Sequence, residues 1–325
     1  MFVCGAAMSA STATFHVNPS AAPGGDGSFT KPFATLEAAR DGVRAARNAG
    51  KVASGEAVEI VLAPGDYVQM EGFALKPCDG GASNSTPVVW KAAKAGTARI
   101  VGGVRVPMCA FSPVTDASVL ARLPEEARGK VLQTDIAAII LGKVPSMAAA
   151  FGGTPTAPLL FLNHRFGTLA RWPNADYTSF SKCVDHGKKI TRTGGGSVYK
   201  SSAFIYSNPR AKRWNFAEGV WMNGYWTHDW SNHSVKAASY GAENGKNDVI
   251  RLAASIPYGV MGGTWGRKDR RFYVFNLLNE LDAPGEWYLD RARKTLYICP
   301  PEGGLKDSDE VFVAGRACRC TATAT

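Results

Sequence analysis

No run of about 18 apolar residues, the length a membrane-spanning helix needs, occurs in this 325-residue chain; the longest aliphatic run is the short Ile136 to Leu141. A spanning helix is excluded, and no membrane partner is expected. The seven cysteines (Cys4, Cys78, Cys109, Cys183, Cys299, Cys318 and Cys320) include no CxxC pair, which argues against a zinc ribbon or a thioredoxin-like redox motif. Their odd number leaves at least one unpaired within the chain. Absent too are the HExxH arrangement of zinc proteases, the GxxxxGK[ST] phosphate loop and the GxSxG nucleophile elbow. The triple glycine Gly194 to Gly196 lacks phosphate-loop spacing and reads as a flexible loop. No cofactor is expected.

What is present is a globular composition with many turns: 45% hydrophobic and 20% charged residues, with 35 Gly and 18 Pro. Many short strands follow from it. The net charge of +10 suits polyanions such as acidic polysaccharide or nucleic acid, but the basic residues are not concentrated enough to decide between them. Its short basic clusters, at Lys188, Lys189 and Arg192, at Arg210, Lys212 and Arg213, and at Arg267, Lys268, Arg270 and Arg271, read as solvated loops. Without an RNA- or DNA-binding motif, nucleic acid is not an expected partner. The first residues, MFVCGAAMSASTA, are small and apolar like a degraded signal segment but carry no basic start, so 1–14 is read as a leader.

From 15 to 107, short β-rich runs alternate with turn signals around one helix, FATLEAARDGVRAARNA (33–49). Leu36, Ala39, Val43 and Ala46 form its apolar stripe; Thr35 is the expected N-cap, Glu37 suits the positive end, and Gly50 is the expected stop. VEIVL turns Val58, Ile60 and Leu62 one way and Glu59 and Val61 the other, with Pro64-Gly65-Asp66 as its turn. A sandwich and a solenoid both read this way. A single helix at one end favours the solenoid, whose open apolar end needs a cap. From 108 to 301 the strands lengthen and aromatics become denser, as in a β-sandwich. There EWYLD and TLYIC read as a hairpin with Trp287, Leu289, Leu296 and Ile298 on one face and Tyr288 and Tyr297 on the other.

The stretch DGSFTKPFATLEAARDGVR, followed by VLAPGDY and IVGGVRV, resembles the opening of right-handed parallel β-helix proteins of the pectate-lyase-like superfamily. Downstream, FLNHRFGTLARWPNADY, WMNGYWTHDWSNH and NLLNELDAPGEWYLDRARKTLYICPP look like the β-sandwich inserted in the β-helix of β-xylosidase and fucosidase or xylanase type glycoside hydrolases. The resemblance implies a mainly β chain: a capping helix with the first coils (15–107), an inserted sandwich (108–301), and a return to the β-helix with an aberrant tail (302–325). It also implies a secreted protein acting on plant or algal polysaccharide. In such enzymes later coils supply the paired catalytic carboxylates, so no residue here takes that role. The chain alone is expected to be inactive, a fragment. The alternative is a non-catalytic carbohydrate-binding or adhesion protein on the same scaffold.

The candidate substrate-binding residues are Trp226, His228 and Trp230, within a 13-residue stretch that also holds Trp221, Tyr225, Asp229 and His233. Flat aromatic faces beside hydrogen-bonding groups suit a sugar. If the segment is extended, these three share one strand face, a face that serves equally well in a core; sugar contact would place them at a surface between the two domains. His228, Asp229 and His233 match no metal spacing, and no metal is expected. Glu280, Asp282, Glu286 and Asp290 form the densest carboxylate run and are read as turn and hairpin residues, with Pro284-Gly285 as a tight turn.

Overall fold

A computed structural model describes residues 12–53, 55–70, 72–138, 147, 150–151, 159–180, 182–187, 189–191, 197–199, 201–261, 269–314 and 321–322. The leader up to residue 11, Gly194 to Gly196, most of the tail beyond 314, and Cys4, Cys318 and Cys320 lie outside the described residues. So do Lys188, Arg192, Arg267 and Lys268. The chain is mainly β and divides into two compact units, one of residues 1–104 and 316–325 and the other of residues 105–315.

In the first unit, β1 (Thr12–Val17) is followed by α1 (Leu36–Asn48), β2 (Ala57–Leu62), β3 (Gly65–Val68), β4 (Val88–Ala92) and β5 (Ala98–Val101). All the pairings among these strands are parallel: β2 lies between β1 and β4, and β3 pairs with β5. Thr35 caps α1 as expected, its hydroxyl accepting from Ala38 N, and Gly50 beyond the helix takes φ +68°. Leu36, Ala39 and Val43 are buried against Val17, Val58, Ile60 and Leu62, so the stripe covers the alternating inner face of β2. Arg44 clamps Asp79 through two hydrogen bonds of 2.6 and 2.7 Å. One local expectation fails: Gly65 and Asp66 already belong to β3, paired with Ala98 and Arg99, so the corner is at Ala63 and Pro64. At φ +140° Gly65 lets the backbone turn there, with Pro19 packed where a side chain would stand.

The second unit contains β6 (Leu132–Asp135), β7 (Leu159–Leu162), β8 (Arg171–Trp172), β9 (Thr178–Phe180), β10 (Cys183–Asp185), β11 (Ala203–Ile205) and β12 (Trp221–Tyr225). It continues with β13 (Asn232–Glu243), β14 (Lys246–Leu252), β15 (Arg270–Phe275), β16 (Glu286–Asp290), β17 (Thr295–Ile298) and β18 (Val311–Ala314). A large antiparallel sheet runs β8-β15-β12-β13-β14-β11-β10, with β9 also on β15. Its inner face holds Phe204, Met222, Val235, Ile250, Phe272 and Val274 in one core with Trp214 and Trp226.

The β16–β17 hairpin has the expected register, with Trp287 opposite Ile298 and Leu289 opposite Leu296. These four join a core with Leu160, Val311 and Val313, while Tyr288 and Tyr297 join a second cluster on the other face with Val119, Leu278 and Leu281. Each face of that sheet is thus covered. Two segmentations differ from expectation. TLARWP forms two strands, because Thr168–Leu169 pairs parallel with β16 and β8 pairs antiparallel with β15. The chain also stays in the second unit as far as β18, which is wholly buried and antiparallel to β7; among the described residues beyond it, Thr321–Ala322 pairs with Ala74–Leu75 in the first unit.

Candidate functional site

Strand β12 ends at Tyr225, where the chain bends and then turns, so Trp226, His228 and Trp230 do not share a strand face. Trp226 is 2% exposed and packs among Phe180, Phe204 and Phe272. Its indole N–H donates to His233 O at 2.8 Å. A ring enclosed on all sides with its one polar atom already bonded has no face for a sugar. Trp226 therefore belongs to the core, and the strand alternation that grouped it with the other two stops one residue too early.

His228 and Trp230 do come together. Their rings stack at 5.1 Å and 10°, and Tyr258, from a separate loop, meets both edge-on at 5.0 and 5.6 Å. Trp230 is 65% exposed and Tyr258 45%. The two loops are joined by hydrogen bonds: Thr227 Oγ1 donates to Gly259 O at 2.8 Å, and Met261 N to Trp226 O at 3.0 Å. Ser231 N closes the turn on His228 O, and the buried Arg270 faces Asp229 at 3.6 Å. Tyr258 itself sits at φ +66°, a conformation rare for a bulky residue and found where surrounding contacts impose it. The result is an anchored, exposed aromatic cluster. Such a surface can stack against the C–H face of a pyranose while imidazole and phenol groups bond its hydroxyls.

The carboxylate run is occupied structurally. Glu286 is buried, and its two oxygens accept from Arg171 N at 3.1 Å and from Asp282 N and Ala283 N at 3.2 and 3.1 Å. Burial nevertheless pushes its carboxyl up to about 7. Glu280 is fully enclosed and also raised by burial, although Trp214 Nε1 and Arg210 Nε donate to it at 2.6 and 2.7 Å. Asp282 takes Arg210 and Asn174, and Asp290 accepts Ala292 N and Arg293 N within its own turn. Gly285, at φ +82°, makes the tight turn expected of Pro284-Gly285. Two carboxyl groups that face each other across open space, as glycoside hydrolysis requires, are not found in this run. Among the described residues no three His, Cys, Asp or Glu side chains converge as a metal site.

Sequence reasoning missed Tyr258, which lies far from the aromatic segment in sequence. The only local hint is the turn pair Tyr258-Gly259, which says nothing about the partner loop.

No protein-family model and no curated protein sequence matches the chain. Among solved structures it has the fold of one named a glycoside hydrolase, with a TM-score of 0.69 at 18% identity over 96% of this chain. The chain spans 48% of that structure's length. A second, named the complex structure of XylC with xylose, aligns over 73% of this chain and 31% of its own at 17% identity, with a TM-score of only 0.29.

Proposed function

We propose that this chain is part of a secreted, carbohydrate-active protein of the glycoside hydrolase type, acting on plant or algal polysaccharide or its oligosaccharides. In this reading the stacked parallel strands β1-β2-β4 and β3-β5 are the opening coils of a β-helix, α1 is their cap, and the second unit is the inserted sandwich. The observation that carries it is the fold match over 96% of the chain to a glycoside hydrolase about twice as long. The acid and nucleophile or base are assigned to residues outside this chain, because Glu280, Asp282 and Glu286 are spent on internal hydrogen bonds. Sugar contact is assigned to His228 and Trp230, with Tyr258 added and Trp226 withdrawn.

Two assays on the purified chain test this. Aryl xylosides, aryl fucosides, xylan and pectin should show no turnover; robust turnover abolished by Glu286→Gln or Asp229→Asn would place the active site within these residues. On a glycan array the chain should bind, and Trp230→Ala should weaken binding about tenfold, the loss of one stacking face. A chain that binds no glycan would refute the carbohydrate assignment. Binding untouched by Trp230→Ala would move the contact elsewhere.

A further inference from the structure

The outer face of the large sheet, opposite its core, carries a second arrangement. Strand pairing sets Asn223 beside Tyr273 and Gly224 beside Phe272, so Tyr225, Arg271 and Tyr273 lie together on the outer face while Met222, Phe272 and Val274 point inward. Toward one end this face is closed by Trp221, Phe275 and Met147. At the other end it is open. There Tyr177, 40% exposed, meets Tyr225 at 5.9 Å and Tyr273 at 5.8 Å.

Two arginines flank the tyrosines and differ in employment. The Arg171 guanidinium lies 3.9 Å from the Tyr273 ring, and its N–H groups go to Pro173 O at 2.8 Å and Asp176 O at 2.7 Å. It folds the 173–177 loop and so places Tyr177. Arg271 stacks 4.3 Å over Tyr225 and 5.4 Å from Tyr177, yet its buried Nε meets no acceptor among the described residues. Neighbouring arginines do not behave this way: Arg210 holds Glu280 and Asp282, Arg251 holds Glu243 and Asp185, and Arg270 faces Asp229. A half-buried guanidinium held on aromatic rings, whose Nε meets no carboxylate or carbonyl among the described residues, is ready to bind a planar or tetrahedral anion. Burial raises the Tyr177 phenol, and Arg271 is the positive charge that opposes that shift.

We propose that Arg271, clamped by Tyr225 and Tyr177, is the recognition point for an anionic sugar unit, one carrying a carboxylate or a sulfate, in a glycan lying across this outer face. The tyrosine rings supply stacking for the ring of that unit, and the guanidinium supplies the charge-assisted hydrogen bonds. The net charge of +10 favours the same ligand class at longer range. The inference rests on the reading that the chain binds carbohydrate, and it narrows the class to acidic glycans.

The test is calorimetric titration of the whole chain with four probes: a galacturonate hexasaccharide, a sulfated galactan hexasaccharide, neutral xylohexaose, and a single-stranded oligothymidylate. At least one anionic sugar should bind about tenfold or more tighter than xylohexaose, the value of a charge-assisted pair; which one prevails identifies carboxylate or sulfate as the source. Arg271→Gln should bring that ratio to near one while xylohexaose binding persists, and Arg271→Lys, which keeps charge but not the planar stack, should retain part of it. Persistence of xylohexaose binding also certifies that each variant is folded; should Arg271→Gln fail to fold, Arg271→Lys decides. Equal binding of anionic and neutral sugars, an unchanged ratio in both variants, or tighter binding of oligothymidylate than of any sugar overturns the proposal. Failure of every sugar to bind overturns instead the carbohydrate reading beneath it.

Discussion

In the first unit β1, β2 and β4 pair in parallel, and burial is uneven across them: β2 turns three residues into the core, β1 one, and β4 none. In the second unit the antiparallel strands behave differently. Four of the five residues of β16 and all four of β18 are buried, as are Leu296, Tyr297 and Ile298 of β17. The contrast has a simple origin. A parallel stack buries a strand only when another layer lies over it, and α1 does this for β1 and β2, whereas Val89, Ile100 and Val68 remain exposed farther along. The hairpin of β16 and β17 has a covering layer on both faces, Leu160 and Val311 on one and Leu278 and Leu281 on the other. Parallel pairing sets geometry in the first unit, and coverage sets stability in the second.

The largest test of this contrast is Trp287→Ala. Trp287 is buried between the layers, and its indole N–H donates to Gly167 O at 3.1 Å, at a glycine where a Cβ would lie 2.9 Å from the same ring. The expected cost is about 3–5 kcal/mol, read by hydrogen exchange as lost protection in the second unit with the first unchanged. Equal loss in both units would mean that they fold as one.

Next in size is the pH dependence of Glu286. Its folded-state carboxyl lies near 7, above the ordinary value of 4.5, so the native state holds the proton more tightly than the unfolded chain does. Its contribution is complete below about 4.5 and is lost as pH rises through about 7. Glu286→Gln removes that titration. The variant should therefore be destabilised more at pH ~5 than at pH ~8, by on the order of 2–3 kcal/mol in the difference between the two curves. Denaturant midpoints across that window measure it, and parallel curves would count against the buried, protonated carboxyl.

The smallest effect belongs to the open end of the first unit. Val89→Ser should change stability by no more than about 0.5 kcal/mol, as for other exposed positions. A loss above about 1 kcal/mol would show that the outer face of β4 is covered in solution, and the contrast between the units would then be one of partner supply rather than of topology.

Patterns of period two and 3.6 determined much by themselves. The stripe Leu36, Ala39 and Val43 with its Thr35 cap, the inner face of β2, and the two faces of the β16–β17 hairpin could be read residue by residue, because each depends on local periodicity and on which side chains shun water. The Pro284-Gly285 turn was legible for a similar reason, whereas the carboxylates around it were read as turn and hairpin residues and the burial of Glu280 and Glu286 was not foreseen. Strand ends and side-chain neighbours were not. Alternation groups Trp226 with His228 and Trp230, but the strand stops at Tyr225, and that stop depends on where β13 and β15 cease to pair with it. The meeting of Tyr258 with Trp230, the enclosure of Glu280 by Arg210 and Trp214, and the seating of Arg271 on Tyr225 and Tyr177 were decided by tertiary structure alone. Periodicity fixes the direction in which a side chain points, whereas its partners are set by which distant strands the sheet brings alongside.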